Sequence, residues 1–88
     1  MNITILSAQM SKDSEGFRGS VAFRAEGHKQ PYEVALWSKD GSMWDYSLSF
    51  AQQSGPEEEI IQIEEALEED DELFDLLVDT AMERLHTA

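Results

Sequence analysis

The chain has no cysteine, only two prolines, and six Lys/Arg against 19 Asp/Glu in 88 residues. Each shortage excludes something. Without cysteine, disulfides and thiolate metal sites are ruled out, and cysteine usage leaves no trace of redox compartment. No window approaches the ~20 consecutive apolar residues of a membrane-spanning helix. The start, Met1 to Leu6, lacks the basic flank and long apolar stretch of a secretory signal. A soluble cytoplasmic protein is therefore expected. The scarcity of bases leaves a net charge of −13. That charge disfavours nucleic acid and anionic membranes as partners, since both are repelled over about a Debye length. It suits basic proteins and cations.

The negative charge is unevenly placed. Residues 1–54 carry five Lys/Arg and six Asp/Glu, a balance of −1, whereas residues 55–88 carry thirteen acids and one base, Arg84, a balance of −12. A halophilic origin would spread acid over every surface, which this partition does not fit. The hydrophobic fraction of 41% is enough for a folded core despite the charge. A chain of this length makes one domain, residues 1–88, with no room for a second core.

Period-2 alternation runs through the first half, as expected of half-buried strands. Phe17, Gly19, Val21, Phe23 and Ala25 form one inward set; Tyr32, Val34 and Leu36 a second; Trp44, Tyr46, Leu48 and Phe50 a third. Residues 2–10 read as a further strand with less distinct faces, Thr4, Leu6, Ala8 and Met10 turning inward if Met10 pairs with Phe17. Lys39-Asp40-Gly41 suits a three-residue hairpin loop with Gly41 left-handed, which pairs Leu36 with Trp44 and Val34 with Tyr46. A four-residue loop over residues 27–30 pairs Phe23 with Val34 and sets Arg24 opposite Glu33.

In the second half, Ser54 and Glu57 fit a capping box and Pro56 suits a first helical turn. Apolar residues then recur at Ile60, Ile63 and Leu67, and at Phe74, Leu77, Val78, Ala81 and Leu85. A single helix over residues 56–86 would be ~45 Å long and would overhang strands of ~27–30 Å. It would also press a carboxylate toward the core. A break near Asp70-Asp71 is expected instead, one aspartate capping the second helix. The expected fold is α+β: a four-stranded antiparallel meander in order 1-2-3-4 over residues 1–54, then acidic helical structure over residues 55–88, packed on one sheet face.

Two surfaces are candidates for binding. Glu64, Glu65, Glu68, Glu72, Asp75 and Asp79 lie away from the apolar stripe and make an acidic helical face, read either as a solubilising surface or as a docking face for a basic protein partner. Calcium fits less well, because the stretch over residues 68–72 has neither the loop glycine nor the alternating oxygens of an EF-hand. On the sheet's outer face the expected registers place Ile5, Ala22 and Ala35 in one row, with Ile3, Trp37 and Met43 nearby. Such a patch is covered by the second helix, buried in a homodimer, or used to recognise another protein.

Chemistry is sparse. His28 falls in a turn and His86 near the C-terminal end, both expected to be exposed and uncommitted. The serines have no histidine at a recognisable spacing, and Gly16 to Gly19 opens a strand rather than a helix, so it makes no phosphate cradle. No catalytic residue, cofactor or metal is assigned. The expected function is a non-catalytic protein–protein interaction module that self-associates and engages a basic partner. The alternative is a small-ligand or enzymatic domain with a cleft between sheet and helix, lined by Trp44, Tyr46 and Phe50.

Overall fold

The computed structural model describes residues 1–87, with side chains through Leu85; the expectation about His86 lies outside the described side chains. Four strands, β1 (Ile3–Asp13), β2 (Gly16–Ala25), β3 (Tyr32–Ser38) and β4 (Asp45–Phe50), form one antiparallel sheet in order β1-β2-β3-β4. Two helices follow, α1 (Glu57–Glu69) and α2 (Asp71–Thr87). The fold is α+β, with α2 against β1 and β2, and α1 against β4, on the same face of the sheet.

The alternation of the strands produces this layering. Val21, Phe23, Ala25, Tyr32, Val34 and Leu36 are buried on the inner face, while their neighbours along each strand face outward. The helices fill the space above them with Ile63, Leu67, Leu73, Leu77, Val78 and Ala81. Burying one such aliphatic side chain is worth ~1.5–3 kcal/mol, so the apolar stripe, not intrinsic propensity, holds these acid-rich helices in place.

All three hairpin registers differ by two residues from those expected. Val34 pairs with Leu48 and Leu36 with Tyr46, so residues 39–44 form a wide connection. The cause is a side-chain clasp. Asp40 Oδ1 accepts the amides of Ser42 at 2.9 Å and Met43 at 3.3 Å, while Ser38 Oγ accepts the Gly41 amide at 2.9 Å. Gly41 has φ 82°, the left-handed conformation expected of it. Trp44 leaves the ladder, donates from Nε1 to the Gly41 carbonyl at 3.2 Å, and packs on Phe17 at 5.9 Å between centroids.

Between β2 and β3, Phe23 pairs with Tyr32, and Glu33 faces Ala22 rather than Arg24. The connection is longer than four residues; Pro31 lies just before β3, and its carbonyl accepts the Ala51 amide at 3.0 Å, extending the contact with the β4 side. Between β1 and β2 the loop is shorter than expected, so Met10 faces Gly19 and Lys12 faces Phe17. Gly19 permits this approach: a Cβ there would collide with the Gln9 carbonyl oxygen and the end of the Met10 side chain. Displacement by two residues preserves which side chains face inward, so β2, β3 and β4 keep their expected faces.

In β1 the faces change. The register shifts between Ile5 and Ser7, a bulge that turns Ile3 and Ile5 inward against the core together with Ala8 and Met10. Thr4 and Leu6, expected inward, are exposed.

The helix break falls where expected, at Asp70, which is extended (φ −110°, ψ 94°). The start of α1 differs. Pro56 is its N-cap, without a side-chain capping bond, and Ser54 makes no capping box. Glu57, Glu58 and Glu59 still lie in the first turn, where the helix dipole favours them. Glu59 reaches outward to accept the Lys29 amide at 2.9 Å, tying the helix start to the β2–β3 connection.

Candidate functional site

Glu64, Glu65 and Glu68 on α1, with Glu72, Asp75 and Asp79 on α2, are all exposed. Among the described residues, none of the sheet-half cations Lys12, Arg18, Arg24, Lys29 and Lys39 forms an ion pair with any of these six. The break matters here. It separates Glu68 from Glu72, leaving like-charge i,i+4 pairs only within each helix, such as Glu64 with Glu68 and Asp75 with Asp79.

The sheet meets these carboxylates at Tyr46, whose hydroxyl donates to Glu68 Oε1 at 3.5 Å. Burial pushes the Tyr46 phenol up from its ordinary value, and the charges of Glu68 and Glu64 push it further. Among the described residues no three His, Asp or Glu side chains converge as metal ligands.

The outer sheet face is left uncovered, since both helices pack on the inner one. Trp37 is therefore 42% exposed and does not lie under α2. The apolar row expected around it does not form. Ile5 is on the inner face, opposite Phe23, because of the bulge. Met43 is 80% exposed in the β3–β4 connection, its amide held by Asp40. The two-residue register differences also separate Ala22 from Ala35.

What forms instead is a face of small and polar residues. One row across it reads Ser11, Arg18, Trp37, Asp45. The next reads Gln9, Ser20, Ala35, Ser47, and the third Ser7, Ala22, Glu33, Ser49. Three open depressions lie on and beside this face and Arg18 lines them all. Its guanidinium pairs with Glu15 at 3.2 Å, both side chains mostly solvated, a geometry worth little energetically.

The aromatics assigned to a sheet–helix cleft are occupied by packing. Tyr46 lies against Phe74 at 5.6 Å, Phe50 stacks on Tyr32 at 5.5 Å, and Trp44 covers Phe17. Among the described residues every buried side-chain nitrogen and oxygen has a hydrogen-bond partner, so no polar group is held out toward a ligand from the interior.

His28 departs from expectation. Its side chain is only 9% exposed, Nδ1 lies 2.8 Å from the Tyr32 hydroxyl, and Glu59 Oε1 is 4.0 Å from the same nitrogen. Tyr32 is fully buried and its phenol is pushed up, first by desolvation and then by the Glu59 charge. The spacing of four residues between His28 and Tyr32 was the available signal. The group closes the β2–β3 connection over the end of the core, and its buried hydroxyl offers a substrate no access.

Among the described residues, no helix is long and apolar enough to cross a membrane. Comparison with protein-family models, with curated proteins and with solved structures finds no match to this chain.

Proposed function

We propose that this protein is a non-catalytic interaction module that docks a basic protein through the carboxylate layer of α1 and α2. The observation that carries the reading is the partition of charge: −12 over residues 55–88 against −1 over residues 1–54, with the six helical carboxylates exposed and unengaged by the cations of the sheet half. A layer kept acidic at the expense of like-charge neighbours, each pair destabilising by ~0.2–0.5 kcal/mol, is more than solubility requires. Its field extends about a Debye length, ~8 Å at physiological salt, and speeds encounter with a cationic surface. The cytoplasm is the proposed setting.

The test is affinity capture with identification of what is retained, comparing the wild-type chain with a Glu64→Gln, Glu68→Gln, Glu72→Gln, Asp75→Asn variant. A discrete basic protein should be held at low salt, released as ionic strength rises, and lost with the variant. Retention that ignores both salt and the four substitutions would refute the assignment.

A further inference from the structure

The outer sheet face and the acidic layer lie on opposite sides of the molecule, and the first is suited to something the second forbids. A chain of net charge −13 resists meeting its own copy through any surface that brings two helical layers together. On the outer face the charges are few and of both signs, Arg18 and Arg24 against Asp13, Glu33 and Asp45, with Glu15 beside Arg18. Copies meeting there turn their carboxylate layers outward, farther apart than the ~8 Å Debye length.

We propose that two copies of this chain associate through their outer sheet faces, forming a four-layer α/β/β/α dimer whose two-fold axis runs close to β3 at Trp37. This goes beyond the docking of a basic partner and does not rest on it.

The row through Trp37 supplies the complementarity. Arg18 on β2 and Asp45 on β4 flank Trp37 on β3, one charge of each sign at equal strand distance. A two-fold axis in the interface plane along β3 carries β2 over the position of β4. Each Arg18 then stands against the partner's Asp45, twice, as an isologous contact requires, and the two Trp37 rings meet at the centre. An axis across the strands would instead oppose Arg18 to its own copy. The solvated pair with Glu15 does not prevent the exchange of partners.

The rest of the face agrees. Ala35 lies on the same strand beside the axis, with Ser20 and Ser47 to either side, small enough for two sheets to approach to the usual ~10 Å. Glu33, four residues from Trp37, would face its own copy if the strands were aligned. The ~30° crossing usual for stacked sheets moves it several ångströms off the axis.

The four strands cover roughly 500 Å² in flat projection, below the ~800 Å² per partner of a standard interface. A contact of that size belongs with weak, transient association.

Sedimentation equilibrium at near-physiological salt, from about 1 to about 200 µM, tests this with Arg18→Glu, Asp45→Arg and the double reversal. The wild-type chain should dimerise, each single reversal should weaken dimerisation about tenfold or more, and the double reversal should restore it. Circular dichroism melting checks that each variant is folded. A chain that stays monomeric throughout, a dimer indifferent to both single reversals, or folded variants in which the double reversal rescues nothing would each overturn the proposal.

Discussion

Asp70 Oδ1 accepts the backbone amide of Leu73 at 3.2 Å, and that of Glu72 at 3.1 Å, while the Asp70 amide itself donates back to the Ala66 carbonyl at 2.8 Å. One residue thus terminates α1 and caps α2. The Asp70 carbonyl completes the arrangement by accepting the Phe74 amide at 3.2 Å. Without this turn, the stripe of Ile63 and Leu67 could not continue into that of Leu73 and Leu77 with both facing the sheet.

Asp70→Ala should therefore cost about 1 kcal/mol, the usual loss on removing an N-cap, and lower the melting temperature by about 4–8 °C. Asp70→Asn keeps an acceptor oxygen and should lose far less. Thermal unfolding followed by circular dichroism separates the two; equal losses would mean the charge, not the cap, is what counts.

The break was legible because the apolar stripe, recurring at helical period on either side, is interrupted at Asp70-Asp71, where one continuous helix would turn a carboxylate toward the core. Strand faces were legible for a similar reason, since alternation in β2, β3 and β4 fixes parity. Register was not. Parity survives a displacement of two residues, and the loop lengths that set register depend on side-chain bonds such as Asp40 to Ser42, which alternation does not encode. The bulge did leave a mark: apolar residues sit at 3 and 5, then at 8 and 10, a change of phase within one strand. That phase change is why Ile5 belongs to the core, while Trp37, Ala22 and Ala35 keep the outer face, no longer in one apolar row.

Asp75 lies one helical turn from both Asp71 and Asp79 on α2. Asp75→Lys turns two repulsive pairs into attractive ones and should stabilise the fold by about 1 kcal/mol at low ionic strength. The gain should shrink with added salt, as screening removes both the original repulsion and the new attraction. Denaturant unfolding at two salt concentrations measures it. The same variant should bind a basic partner less well.

Asp40 is fully exposed, yet amide hydrogen bonds from Ser42 and Met43 pull its carboxyl down to about 2. A carboxylate held below its unfolded value contributes stability that is complete above the ordinary carboxylate range and lost as pH falls toward the folded value. The ionisation-linked part of the stability difference between wild type and Asp40→Ala should therefore be constant from neutral pH to about 5, fall through the carboxylate range, and be gone only below about 2. A carbon-detected NMR titration of the Asp40 carboxyl gives the midpoint directly; one near 4 would contradict the clasp.

Tyr32 runs the other way in pH. Its phenol is raised, first by burial and then by Glu59, so the fold keeps the full benefit of the neutral hydroxyl below about 10 and loses it as pH rises through the folded value. Alkaline unfolding monitored by phenolate absorbance should show ionisation of Tyr32 together with loss of structure. Tyr32→Phe leaves the ring's stacking on Phe50 in place but removes the partner of His28, and should cost about 1 kcal/mol near neutral pH.

The extra residue at Leu6 also has a bearing on how the molecule behaves when concentrated. β1 is an outer strand of 11 residues, and a straight ribbon of that length with unpaired backbone on one side invites stacking into fibrils. The irregularity between Ile5 and Ser7 interrupts it after a few residues. A foreign strand zipping along residues 7–13 would meet Lys12 and Asp13 at one end and a bend at the other, so the longest open border of the sheet is also its least inviting template.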